Sequence, residues 1–116
     1  MINKATLVGR VGGDPEQHQL TTGIVVNFSL ATTEKWKNKD GEQQEETQWH
    51  SIKAFGSLAD IINTYVKKGD LLYVDGKIKY CSWEKDGVKH YATDIVCFNM
   101  QMLGGKKDVT EPEFGS

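Results

Sequence analysis

Nowhere in the 116 residues does an apolar run approach the roughly 20 that a membrane-spanning helix requires. Cysteine is almost as scarce. Cys81 and Cys97 show neither metal-ligand spacing nor a Cys-x-x-Cys redox motif. If they flank a hairpin with Asp86-Gly87 at its tip, Cys81 faces about position 92 and Cys97 about position 76, too far apart for a disulfide. Both read as free thiols of a reducing compartment. An excess of positive charge is missing too: 14 basic against 16 acidic side chains leave a net charge of −2. Nucleic-acid-binding proteins often carry a strongly basic balance, so any such surface here must be local.

Signatures of catalysis are also lacking. His18, His50 and His90 share no metal-binding spacing, and there is no phosphate loop, nucleophile elbow or Cys-His arrangement. Gly12-Gly13 is too short a glycine run for a phosphate cradle and reads as a turn. No enzyme activity, cofactor or metal is expected. Met1-Ile2-Asn3-Lys4 leads straight into a strand-like pattern, without the layout of a signal or transit peptide. The expectation is a cytoplasmic protein with no membrane association, although a processed organelle protein would look the same.

What is present suits one domain with a modest core: 38% of residues are apolar and 26% charged. Ile2–Val11 alternates, with Ala5, Leu7 and Val11 on one face and Lys4, Thr6 and Arg10 on the other, as in a half-buried strand. After turns at Gly12-Gly13-Asp14-Pro15 and Thr22-Gly23, residues Ile24, Val26, Phe28 and Leu30 alternate with Asn27, Ser29 and Ala31. Asp40-Gly41 is read as the tip of a long, charged, mobile loop, and Thr47–Phe55 as the third strand.

The period then changes. Apolar residues at 58, 61, 62, 65 and 66 follow helical spacing, Ser57 with Asp60 forms a capping-box variant, and Lys67-Lys68-Gly69 supplies a basic end and a stop. Leu71–Tyr80 and His90–Phe98 are strands again, joined at Asp86-Gly87. Three strands, one short helix and two strands predict an all-β, five-stranded OB-fold barrel with the helix between strands three and four. An SH3-like barrel ranks second because it usually lacks that helix. From Gly104 the pattern dissolves, so residues 1–105 are taken as the domain and 106–116 as a flexible tail.

The third strand carries the most information. Side chains alternate along it, so Trp49, Ser51, Lys53 and Phe55 share one face, while His50, Ile52 and Ala54 share the other. Aromatic rings beside a lysine on an exposed face suit stacked bases and a phosphate backbone. The plain alternative is that Trp49 and Phe55 are core residues, but burying their face would also bury Lys53. Trp36 sits in Lys35-Trp36-Lys37-Asn38-Lys39, where it either stacks on a base or folds back over the barrel mouth. Trp83, near the hairpin tip and in phase with Lys77 and Lys79, either binds or closes a subunit interface. The stacking candidates are thus Trp36, Trp49, Phe55 and Trp83. Lys4, Arg10, Lys35, Lys37, Lys53, Lys77 and Lys79 are candidate phosphate contacts, although each taken singly is also an ordinary solvated charge. Lys67 and Lys68 read better as helix C-terminal charges.

Asn3-Lys4…Leu7-Val8-Gly9-Arg10…Asp14-Pro15-Glu16, Trp49-His50…Phe55-Gly56-Ser57-Leu58-Ala59, Tyr65…Lys68-Gly69 and Met100-Gln101-Met102-Leu103-Gly104 together resemble the bacterial single-stranded DNA-binding protein family over about residues 1–105. The resemblance implies an OB-fold protomer of a homotetramer that wraps single-stranded DNA in replication, recombination and repair. It also implies stacking by the residues at Trp36, Trp49, Phe55 and Trp83, and a subunit contact at His50. Cellular members carry a long Gly/Gln/Pro-rich linker and an acidic tip that recruits other replication and repair proteins. Here only Lys106–Ser116 stands in that place, with Glu111-Pro112-Glu113-Phe114 followed by Gly115-Ser116. A truncated chain, a phage- or plasmid-borne member and a mitochondrial relative each fit that departure, and recruitment through the tail depends on a longer native chain. An OB-fold adaptor that mainly contacts proteins is the alternative from a different class.

Overall fold

The computed structural model describes residues 1–104, and the 106–116 tail lies outside the described residues. Within them the order is β1 (Ala5–Val11), β2 (Glu16–Leu20), β3 (Gly23–Lys37), β4 (Gln43–Phe55), α1 (Gly56–Tyr65), β5 (Leu71–Lys85) and β6 (Val88–Gly104). The strands pair in the order β1-β5-β6-β4-β3-β2, and β1 also pairs with β3. That last pairing closes β1, β3, β4, β6 and β5 into a five-stranded barrel. The helix follows the third barrel strand, as an OB-fold requires.

The alternation read in β3 is the origin of the core. Val26 and Leu30 are fully buried and Phe28 is 7% exposed, and they meet Ile52 and Ala54 of β4, Leu72 and Val74 of β5, and Ile95 and Cys97 of β6. Each fully buried Leu, Ile or Val contributes roughly 1.5–3 kcal/mol of transfer free energy. The helix plugs one end of the barrel with Ala59 and Ile62, joined by Val66 at its C-cap. Cys81 stands opposite Ala92 and Cys97 opposite Gly76, and both are free thiols. Burial pushes the Cys97 thiol up to about 11.

Several expectations need correction. The segment Glu16–Leu20, lying between the two expected turns where no strand was expected, is an additional edge strand paired with Gly23–Asn27 of β3. All five residues are exposed, so no buried face left an apolar pattern to read. The long mobile loop around Asp40-Gly41 is instead a β-ribbon in which β3 and β4 stay paired out to Lys37 and Gln43. Asn38 closes its tip: the side-chain Oδ1 accepts the backbone N–H of Asp40 at 3.0 Å and of Glu42 at 2.9 Å, while Gly41 takes φ 77°. Side-chain capping of a turn by Asn is local chemistry that a charge count conceals. The strands β5 and β6 likewise run past Tyr80 and back from Val88, joined at Asp86 (φ 54°) and Gly87 (φ 78°).

The helix also departs in detail. Its N-cap is Phe55, without a side-chain capping bond, so Ser57 and Asp60 do not form the expected box. It ends at Tyr65, and Lys67 and Lys68 lie beyond its last turn. Ile61 and Tyr65 face water at 46% and 62% exposure, because Ala59 rather than Ile61 turns inward.

Candidate nucleic-acid interface

Strand register decides which side chains meet outside the barrel. Along β4, Ile52 and Ala54 point into the core, which sends Trp49, Ser51, Lys53 and Phe55 outward. β6 runs parallel beside it, with Ser51 opposite Asp94 and Lys53 opposite Val96. Across β6 lies β5, where Lys77 pairs with Val96, Lys79 with Asp94, Cys81 with Ala92 and Trp83 with His90. Residues directly opposite one another share a face. One outer surface therefore runs from Phe55, Lys53 and Trp49 through Asp94 to Lys77, Lys79 and Trp83.

The rings on it are open to solvent: Trp49 is 63% exposed, Phe55 47% and Trp83 49%. Their chemistry is that of platforms rather than of core. The Trp49 indole reaches over Gly12, where a Cβ would overlap its six-membered ring and stand 2.7 Å from Ser29 Oγ. A shallow groove beside it is lined by Gly13, Asp14, Glu16, Asn27, Ser29 and Ser51. A second depression borders Phe55 between Leu20, Thr22, Ile24 and Gly56. Trp83 is held by His90, the rings stacked with centroids 5.5 Å apart and planes 20° from parallel.

Trp36 is placed differently. It pairs with Gln44 and falls in the alternation with Leu30 and Phe28, so it leaves the ribbon on the side opposite Trp49. At 44% exposure it is not folded into the core, and Lys35 and Lys37 alternate onto the Trp49 side. His50 shares the parity of Leu30, and its Nε2 lies 2.9 Å from Thr32 Oγ1. Partial burial lowers its pKa.

A scan against family descriptions matches residues 2–103 to the single-strand binding protein family. The chain belongs to that family. It is 50% identical over 108 residues to Single-stranded DNA-binding protein 1 of Chlorobaculum tepidum, covering 90% of this chain and 67% of that one. With Single-stranded DNA-binding protein 1 of Xylella fastidiosa it shares 43% identity over 110 residues, covering 92% and 81%. Among solved structures it is similar to the Plasmodium falciparum SSB complex with ssDNA, at TM-score 0.82 and 31% identity over 89% of this chain and 96% of that one. A Thermus aquaticus single-stranded DNA binding protein, at 24% identity and TM-score 0.78 over 90% of this chain and 52% of that one, shares the fold. Proteins of the family are DNA-binding and non-enzymatic. Among the described residues, no helix is long and apolar enough to cross a membrane and no cluster is fit to hold a metal.

Within this family frame the cations differ in availability. Lys53 Nζ lies 3.2 Å from the Asp94 carboxylate and Lys4 Nζ 3.9 Å from that of Asp75. Arg10 donates to the Gly69 carbonyl oxygen at 3.1 Å. Lys35, Lys37, Lys77 and Lys79 make no ion pair among the described residues. Lys53 and Lys4 must therefore be drawn from carboxylates before they serve a phosphate, whereas the other four lysines are ready.

Asp94 and His90 are the residues that the sequence reading missed on this surface. Both were accessible in principle: counting outward from the Asp86-Gly87 turn sets His90 opposite Trp83 and Asp94 opposite Lys79. Burial alone would raise the Asp94 carboxyl, but hydrogen bonds from Ser51 and Lys53, the Lys53 charge and the Cys81 thiol together hold it below the usual range. Asp75 is held low chiefly by the Thr6 hydroxyl, which donates at 2.6 Å, and further by Tyr73 and Lys4 against the effect of burial. A carboxyl whose folded pKa is depressed contributes stability that is complete above its ordinary value of 3.8 and is lost as pH falls through the folded value. Thermal melts should therefore show a falling Tm below about pH 4. Asp94→Asn should make that acid limb shallower, and an unchanged limb in the variant would remove Asp94 from the account.

Proposed function

We propose that this chain binds single-stranded DNA with little sequence preference, by stacking bases on Trp49, Phe55 and Trp83 and neutralising phosphates with the lysines between them. Trp36, on the other side of the β3–β4 ribbon, takes bases from a strand that continues around it. The observation that carries the reading is the single outer surface on which three exposed rings alternate with Lys53, Lys77 and Lys79. Flat rings accept any base, so such a surface favours unpaired strands without reading sequence. Lys35 and Lys37 extend the phosphate track along the ribbon, with Lys4 and Arg10 at its margin. Family membership and the likeness to a complex with single-stranded DNA support the same reading.

The wider role proposed is protection of single strands during replication, recombination and repair, in the cytoplasm of a bacterium or on behalf of a phage or plasmid. The working unit is a homotetramer with His50 at a subunit contact. Residues 1–105 form the binding domain and 106–116 a tail, through which a longer native chain would recruit other proteins.

Titration of intrinsic tryptophan emission with oligodeoxythymidylate and with a matched duplex tests the reading. Quenching is expected to saturate with the single strand and to be much weaker with the duplex. Affinity should fall with salt at a log–log slope of roughly −0.7 per phosphate contacted. Unchanged emission at low salt would overturn the proposal, and light scattering on the same samples reports the subunit number.

A further inference from the structure

Two of the exposed rings that the proposed stacking surface does not use lie together on one ribbon. Beyond the Lys79–Asp94 pair, where β4 ends its pairing with β6 through Ser51, β5 and β6 continue as a two-stranded ribbon, and among the described residues no third strand pairs with either. One face carries Lys79, Cys81 and Trp83 with His90. The other continues the inward parity of Ile78 past the barrel, and there Tyr80 pairs with Thr93 and Ser82 with Tyr91. Tyr80 and Tyr91 are thus diagonal neighbours on one face. They are 79% and 73% exposed, more than any of the tryptophans.

We infer that Tyr80, Tyr91 and Lys89, on the reverse face of the β5–β6 ribbon, form a second stacking surface for a single-stranded nucleic acid, set back to back with Trp83. This rests on the proposed function. Three observations point to this occupant. A ribbon face protruding into water has no packing need for two large rings, yet it holds them side by side at the spacing of cross-strand neighbours. Lys89 places its Nζ 5.7 Å from the centroid of the Tyr91 ring, so a cation stands beside a stacking face where a base would bring its phosphate. Glu84 is the cross-strand partner of Lys89, yet the two make no ion pair among the described residues. Finally, only one ribbon thickness separates this face from Trp83 and His90, so a strand leaving Trp83 at the Asp86-Gly87 tip passes directly onto it. Rings and cation on both sides make the hairpin a post around which a strand turns.

The test compares the full chain with a Tyr80→Ser/Tyr91→Ser double variant, using oligodeoxythymidylates too short to round the hairpin and others long enough to do so. Short strands should bind both proteins equally. Long strands should bind the variant about tenfold more weakly, as expected when stacked bases lose their rings. The occluded length on polydeoxythymidylate should also shorten. Equal long-strand affinity and equal occluded length would overturn the inference. So would a changed subunit number at unchanged DNA affinity, which would assign the face to a second copy of the chain. If the parent protein itself shows no quenching with any strand, the proposed function fails first, and that outcome is read from the parent alone. Should the double variant unfold, Lys89→Glu tests the same face: long-strand affinity and salt slope should both drop while short-strand binding holds. Loss with short and long strands alike would count against a separate surface.

Discussion

Trp49→Ala should weaken single-strand binding about tenfold to a hundredfold, the loss of one good base–aromatic stack at roughly 1–3 kcal/mol. Trp49 is the most exposed of the three tryptophans, sits at the centre of β4, and borders the groove lined by Ser29 and Ser51. Removing it leaves the fold alone, since the ring covers Gly12 rather than core residues. Lys53→Ala should behave in the opposite way. Its cation is already engaged by Asp94, so a phosphate gains from it only what the carboxylate gives up, and the affinity loss should be smaller than for Trp49. Stability should suffer more, because Asp94 is only 5% exposed and loses the cation 3.2 Å away. Removing one partner strands a buried charge, which costs more than an ordinary surface substitution. Equilibrium titration and thermal melts of the two variants check both halves. If Lys53→Ala costs more affinity than Trp49→Ala, charge rather than stacking governs binding.

A second variant separates the ring from its seat. Gly12→Ala keeps Trp49 but forces the indole to move, because the new Cβ would occupy the space of its six-membered ring. Affinity should fall in the same direction as for Trp49→Ala, by less.

Legibility followed burial. Where one face of a strand is buried and the other wet, the alternation is written into the residues, and β3 from Ile24 to Ala31 and β4 from Trp49 to Phe55 could be read directly. Because Ile52 and Ala54 had to face inward, Trp49, Lys53 and Phe55 had to face outward, so the central part of the site came with the fold. The same logic failed where neither face is buried. β2, as Glu-Gln-His-Gln-Leu, pairs its backbone with β3 while all its side chains face water. The outer half of the β3–β4 ribbon is held by main-chain bonds, the Thr33–Thr47 hydroxyl contact at 3.0 Å and the Asn38 turn, none of which requires an apolar residue. The surface beyond β4 needed long-range register. The hairpin turn alone supplies the alignment of β5 with β6, but nothing local announces that β6 lies parallel to β4 and so brings Trp83, Lys79 and Asp94 round to Trp49. Trp36 shows the limit of composition. Flanking lysines marked it as a binding residue, but only the pairing with Gln44 reveals which side of the ribbon it leaves.

Gly9→Val should unfold or nearly unfold the protein, while Gly13→Ala in the next turn should shift Tm little. β1 is the strand that shuts the barrel: it pairs along its length with β5 and crosses to β3 at Arg10 and Val11. At Gly9 the two neighbours converge so tightly that a Cβ would overlap the Ala31 carbonyl oxygen and stand 3.0 Å from its carbon and 3.2 Å from Leu30 Cγ. A flexible side chain could yield, but Ala31 O belongs to the β3 backbone, held in register by β4 on its other side. Relief therefore requires the β1–β3 seam to open, exposing Leu30 and Val11, which are 0% and 2% accessible in the closed barrel. Overpacking alone typically costs about 1–3 kcal/mol. Loss of the seam adds to that in a domain whose total stability is of order 5–15 kcal/mol. Gly13 has nothing within 4 Å of the same hypothetical Cβ and no positive φ, so alanine fits there. Calorimetry or chemical denaturation of both variants makes the comparison. Because Ala31 lies opposite Trp49 across β3–β4, any Gly9→Val protein that stays folded should also bind single strands less tightly. A stable, fully binding Gly9→Val would mean that β1 does not close the barrel at this point.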